Sequence, residues 1–214
     1  MSSRPRTPSD AVALAAPAAP ACTREEILAA AARLFRQQGY ASTTLRQIAE
    51  AAGIKAGSIY YHFESKDEIA ARVLDAGIEA VAALVAERLA SLAPGAGSRE
   101  RLGMAIEGHL RGMLHHGDFT SAHIRIYRHV SESARERHRA VRSAYTRLWD
   151  GLLADAAAAG VVRADVPLPM IRQYLVGALN WPVDWYDPRR GSFERFAAQM
   201  TSLVLDGIAA PEAA

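Results

Sequence analysis

Apolar positions recur along this chain at three- and four-residue steps, the spacing of one helical face, and nowhere alternate as a strand would. Ile27, Leu28, Ala31, Leu34 and Phe35 mark a first helix that begins after Thr23 and is closed by Gly39. A short second helix follows Thr43 and Thr44, with Leu45, Ile48, Ala49 and Ala52 on one face. Thr44 and Gln47 have the spacing of a capping box. Gly53 then turns the chain into a third short helix, and Ser65 with Glu68 opens a long fourth one that runs to about Leu92. The stretch PGAGS from Pro94 breaks the pattern. Further helices are predicted over 99–116, 119–130, 133–159, 168–187 and 192–208, with Asp118 and Ser192 as N-caps and Gly160 as a C-cap. The predicted fold is all-α. A disordered Ala/Pro/Ser tail covers 1–22, a three-helix unit 23–68, and a larger helical bundle 69–210.

The third short helix lies in GIKAGSIYYHFESKDE, residues 53–68, which is unusually rich in rings for a chain only 7% aromatic. At about 100° per residue, Ile59 and Phe63 fall together with Ala56 beside them, an apolar face for helices one and two. Gly57, Ser58, Tyr61 and His62 fall opposite, with Lys55 at the edge and Tyr60 on the flank. That outward face suits a DNA groove. Gly57 costs helix stability, about 1 kcal/mol relative to alanine, but lets the backbone approach another molecule closely. First-turn N–H groups, ring hydroxyls and the Lys55 and Lys66 ammonium groups can all meet phosphates. Two helices joined by AAGIKAG form a helix-turn-helix, whose second helix enters the major groove. An isolated Tyr-Tyr-His would read as ordinary core and surface; the turn glycine, the capped helix and the two-faced rings together point to DNA.

The 214 residues are half hydrophobic, enough for a sizeable core. A net charge of +2 and a pI near 8.8 announce no nucleic-acid partner, so any basic surface must be local. The lone Cys22 excludes a disulfide framework and a cysteine-based zinc site, and fits a reducing cytoplasm. Asp10, Pro17 and Pro20 argue against a signal peptide, and no apolar run approaches the ~18 residues of a membrane span.

The segment TLRQIAEAAGIKAGSIYYHFESKDEI resembles the DNA-binding domain of the TetR family of bacterial transcriptional regulators, from about Thr23 to Leu74. The resemblance implies that the rest of the chain binds a ligand and dimerises. It implies that Thr43 or Thr44, with Arg46, anchors helix two at phosphates, and that Lys55, Ala56, Gly57 and Ser58 start the groove-facing helix. Tyr60, Tyr61 and His62 would contact backbone and some bases, and Lys66 a phosphate. Ala56 departs from the longer polar or basic residue common in relatives, which reduces direct readout there to contact with a thymine methyl. The C-terminal stretch GALNWPVDWYDPRRGSFERF is similar to regulators of fatty-acid, steroid-ring and other acyl-CoA catabolism, through Trp181, Trp185, Tyr186 and Pro188. Pro182 departs from a smooth helix and should kink it.

In the larger unit, Tyr145, Trp149, Tyr174, Trp181 and Trp185 are candidates to line a pocket, although aromatics at helical spacing are more often core. Arg125 and Arg128, with Tyr127 between them, could receive an acidic ligand group; exposed helix charge is the plainer reading. His109, His115 and His116 read as structural or solvated rather than metal ligands, and ARERHRAVR from Ala134 as a solvated face. The last helix presents Phe193, Phe196, Ala197, Met200 and Val204 as one stripe, expected to pair with a second copy across a four-helix interface.

The expected function is a one-component repressor that binds a palindromic operator as a homodimer and is released by a small-molecule inducer. An acyl-CoA or similar acidic, partly apolar metabolite is the favoured inducer, with a neutral or cationic hydrophobic drug as the alternative. No metal or cofactor is expected. A helical enzyme is the rival from another class, but the chain has no phosphate-binding glycine loop and no nucleophile elbow. A protein-binding adaptor is the other rival.

Overall fold

The computed structural model describes residues 23–115 and 117–208; the tail predicted over 1–22, Cys22, His116 and the side chain of His115 lie outside the described residues. Among the described residues eight α-helices follow in order: α1 Arg24–Ser42, α2 Leu45–Ala51, α3 Lys66–Ala90, α4 Ser98–His115, α5 Gly117–Ile126, α6 Glu132–Ala158, α7 Leu168–Asn180 and α8 Phe193–Ile208. Short 3₁₀ helices lie at Ala56–Tyr61, Trp181–Asp184 and Pro188–Arg190, and no β-strand forms among the described residues.

The local signals act as their chemistry requires. Gly39 takes φ +79° inside α1, so the chain bends there before Tyr40–Ser42 complete one more turn. Thr44 accepts from the Gln47 N–H while the Gln47 carboxamide accepts from the Thr44 N–H, a complete capping box. The Ser65 box is rearranged: Ser65 accepts from the Glu68 N–H, but Glu68 reaches back to the Glu64 N–H instead. Asp118 falls inside the first turn of α5 rather than capping it, and pairs with Arg36 on α1 at 2.6 Å. Ser192 caps α8, accepting from the Arg195 N–H. The helix predicted over 168–187 stops at Asn180, because Pro182 lacks an N–H and the chain continues in 3₁₀ turns.

The apolar interior forms two cores. One joins Ile27, Ala31 and Phe35 of α1, Ile48 and Ala49 of α2, Ile59 and Phe63, and Ile69, Val73 and Leu74 of α3 with Ala122, Ile126, Val130 and Ala134. The small unit is therefore completed by α5 and the start of α6. The other core holds Val81 and Val85 of α3, Leu102, Ile106 and Leu110 of α4, Trp149 and Leu153 of α6, and the inner faces of α7 and α8. Close helix approach depends on glycine: a Cβ on Gly108 would stand 2.8 Å from the Val85 Cα and 2.9 Å from the Leu84 carbonyl oxygen.

Candidate nucleic-acid interface

The surface expected to face DNA is built on the turn between α1 and α2. Thr43 is fully buried there; its hydroxyl donates to the Gly39 carbonyl at 2.7 Å and accepts from Gln38 at 3.2 Å. Thr44, the other candidate for a phosphate contact, is exposed, as is Arg46.

The segment expected to face a groove is a 3₁₀ helix, tighter than the α-helix assumed from the sequence. Ile59 and Phe63 point into the core as expected, linked by an α-type bond from the Phe63 N–H to the Ile59 carbonyl at 3.0 Å. Ala56, expected on the apolar face, is exposed with Lys55 and Gly57 at the leading end. His62, expected outward, is half-buried, as is Ser58. Tyr61 is 90% exposed and Tyr60 63%, an arrangement that no intramolecular packing explains. Lys55, Ala56, Gly57, Tyr60 and Tyr61 thus form one projecting edge, with Thr44 and Arg46 on the neighbouring helix.

A polar frame holds that edge, and sequence reasoning missed most of it. The Lys66 ammonium, expected at a phosphate, is half-buried and donates to the Tyr40 carbonyl at 3.0 Å and the Thr43 carbonyl at 2.9 Å. It also lies 4.1 Å from the centre of the Tyr40 ring. The Tyr40 hydroxyl donates to the Asp67 carboxylate, which accepts as well from Ser131 at 2.7 Å, the residue that caps α6. The bond from Tyr40 holds the Asp67 carboxyl below its ordinary range, while burial and Asp67 push the Tyr40 phenol up. Arg24 donates to the His62 carbonyl, pairs with Glu68 at 3.0 Å and stacks on Phe63 at 4.2 Å. The sequence signal for this frame was only a lysine at a helix start.

The five aromatic residues proposed for one pocket do not converge. Trp149 is buried in the second core, edge-on to His109 at 5.9 Å, and Tyr145 packs beside it. His109 Nδ1 lies 2.8 Å from the Tyr145 hydroxyl and Nε2 3.0 Å from the Asn180 side-chain oxygen, a structural histidine. Burial pushes its imidazole down to about 4, against the Asn180 bond. Tyr174, Trp181 and Trp185 stand at the surface instead. Arg125 is exposed, 3.8 Å from Asp184, and Arg128 is exposed too; neither lines the cleft beside Trp185 or the one between α6 and α7.

Two clefts open in the larger unit. A cavity of about 250 Å³ is lined by Trp185, Tyr186, Arg190, Arg195 and Phe196, with the Tyr186 and Phe196 rings 4.7 Å apart. A second, of about 400 Å³, lies between α6 and α7 and is bordered by Tyr127. The stripe expected to dimerise turns inward: Phe193, Ala197 and Val204 are buried in the second core, with Phe196 and Met200 against it. An apolar stripe looks the same whether it faces its own bundle or a partner. The exposed apolar residues of these two helices are Met170, Tyr174 and Leu203, with Trp181 just beyond α7.

Comparison with protein-family models matches residues 27–73 to the bacterial regulatory proteins of the tetR family, and 95–208 to the tetracyclin repressor-like C-terminal domain. The chain belongs to the TetR family. It is 30% identical over 194 residues to the HTH-type transcriptional repressor KstR2 of Rhodococcus jostii (strain RHA1), covering 88% of this chain and 92% of that one. The ketosteroid transcriptional regulator KstR2 of Mycobacterium tuberculosis superposes with a TM-score of 0.69 at 26% identity, over 88% of this chain and 95% of the other. AibR, solved in complex with isovaleryl coenzyme A and operator DNA, shares the fold at a TM-score of 0.71 and 22% identity, over 84% of this chain and 96% of the other. As a TetR-family member, the chain is a ligand-responsive transcriptional regulator rather than an enzyme, and it acts on operator DNA as a dimer. No described helix is long and apolar enough to cross a membrane.

Proposed function

We propose that this TetR-family protein is a cytoplasmic repressor whose inducer is a coenzyme A thioester. On operator DNA, Lys55, Ala56, Gly57, Tyr60 and Tyr61 of each protomer enter a major groove, with Thr44 and Arg46 at the flanking phosphates. The exposure of the two tyrosines carries this part of the reading, because nothing within the chain accounts for it. The twofold contact forms through Met170, Tyr174, Trp181 and Leu203, where Gly177 and Gly207 leave room for close approach. It must place two reading edges about 34 Å apart, one turn of DNA.

The inducer class is supported by the smaller cleft, which sets Trp185, Tyr186 and Phe196 beside Arg190 and Arg195. Apolar rings beside guanidinium groups suit a ligand that is greasy at one end and anionic at the other. Ligand binding need favour the DNA-incompetent spacing by only ~1–3 kcal/mol to release the operator. Anisotropy of a labelled duplex, selected by affinity from random sequence, tests this. Acyl-CoA thioesters should release the protein at concentrations where neutral and cationic hydrophobic drugs do not. Release by the drugs alone would overturn the inducer assignment.

A further inference from the structure

The larger cleft is lined by cations rather than by rings. Arg135, Arg139 and Arg142 lie at i, i+4 and i+7 on α6 and share one face, with Arg147 five residues further on at the edge of the same cleft. Across from them α7 contributes Arg172 and Gln173, while Ser143 and Thr146 supply hydroxyl groups. Five guanidinium groups thus line one concavity of about 400 Å³ in a chain whose net charge is +2. Only two meet a carboxylate: Arg139 pairs with Glu136 at 2.5 Å and Arg172 with Asp150 at 2.7 Å. Among the described residues, Arg135, Arg142 and Arg147 have no carboxylate within ion-pair distance.

The four α6 arginines of the cleft are exposed, but a solvated helix face ordinarily intersperses charges of both signs, and salt screens what repulsion remains. Here a second helix carries a further arginine toward the same hollow, so the charges reinforce one another. Guanidinium forks are the side chains best matched to phosphate oxygens, and several converging forks favour several phosphates over one carboxylate. We propose that this cleft binds a small, multiply phosphorylated molecule. The proposal extends the inducer reading without resting on it, because the phosphates of coenzyme A and those of a free nucleotide or polyphosphate share this chemistry.

The cleft is wired to the DNA-reading unit by contact. The Arg142 guanidinium lies 4.9 Å over the Tyr127 ring, and that ring stacks on His123 at 5.8 Å. His123 Nδ1 lies 3.2 Å from the Leu74 carbonyl oxygen of α3, and the neighbouring His138 bonds Asp75 of α3 at 2.8 Å. An anion that draws Arg142 away from Tyr127 therefore disturbs a chain of contacts ending on the helix that carries Lys66 and Asp67.

Calorimetric titration of the full-length protein with coenzyme A, an acyl-CoA and inorganic tripolyphosphate tests the site. Arg135→Gln/Arg142→Gln and Arg147→Gln are the variants, and Arg190→Gln/Arg195→Gln in the smaller cleft is the comparison. The exposed arginines can be removed without loss of core, which unchanged thermal midpoints verify. The expected result is binding of at least one phosphorylated probe, weakened by salt, with affinity reduced roughly tenfold or more in the double variant of the larger cleft. Preference for coenzyme A and its thioester over tripolyphosphate identifies a CoA-type ligand, and the reverse identifies a free polyphosphate; both sustain the site. Wild-type affinity in every larger-cleft variant overturns it, as does failure of all three probes to bind. If acyl-CoA still releases operator from those variants undiminished, the inducer reading survives and this cleft is not its phosphate site. Loss of operator affinity in the variants, with probe binding intact, assigns the arginines to DNA and overturns the proposal.

Discussion

Replacing Lys66 with methionine separates a structural clamp from a DNA contact. The ammonium makes two charge-assisted bonds, to the Tyr40 and Thr43 carbonyls at 3.0 and 2.9 Å, and lies 4.1 Å from the Tyr40 ring centre. Charge-assisted bonds contribute roughly 1.5–3 kcal/mol each when shielded, but this lysine is half-buried and water can partly replace it. With a modest cation–π contribution, the expected loss of stability is about 2–3 kcal/mol. Urea unfolding should show that loss as a lower midpoint with an unchanged slope. Operator affinity should fall because the α1–α2 turn loosens, yet its dependence on salt should keep its steepness. Lys55→Met is the counterpart: exposed and without a side-chain cap bond, it should leave stability unchanged and flatten the salt dependence by about 0.9 per protomer. The reasoning is refuted if Lys66→Met flattens the salt dependence by that amount while its unfolding midpoint stays put.

Further outcomes follow from the packing. Gly108→Ala should destabilise the fold by about 1–3 kcal/mol, because its Cβ meets α3 backbone, whereas Gly103→Ala, whose nearest neighbour would be Thr201 at 3.6 Å, should be neutral or slightly stabilising in thermal melts. His109 is held neutral by burial, with its pKa lowered to about 4, so the unfolded chain binds more protons and stability must fall as pH drops below the ordinary histidine range. Between about pH 7 and pH 5 its share should be on the order of 2 kcal/mol, visible as a difference from a neutral isostere such as His109→Gln. Tyr174→Asp or Leu203→Asp should yield folded monomers in sedimentation, whereas Val204→Asp should fail to fold, since it buries a charge in the protomer itself. Tyr61→Ala should leave the melting temperature unchanged and weaken operator binding measured at fixed salt.

Helix order was legible because the punctuation is local. Gly39, Gly53 and Gly160 all take positive φ where the pattern stops, and the Thr44–Gln47 box forms in full. Ile59 and Phe63 could be assigned inward from spacing alone. What spacing does not carry is what lies on the other side of a face. Phe193 and Val204 share an apolar stripe that serves the protomer, while Tyr174 and Trp181, read as pocket lining, are surface residues. Thr43 and Thr44 are adjacent and chemically alike, yet one is sealed beneath Gln38 and the other exposed. The arginine face of α6 was visible as a period, but its concavity depends on Arg172, which comes from another helix.

The shared interior beneath the reading edge has an engineering corollary. Ala122, Ile126, Val130 and Ala134 sit among the side chains of α1, the 3₁₀ helix and the first turns of α3, although they follow them by some fifty residues or more in the chain. A head grafted from one such regulator onto another at a seam near residue 68 or 94 would leave its floor behind and land on a foreign one. A working chimera has to carry α5 and the opening turn of α6 along with the head, or redesign those four contacts to suit the donor.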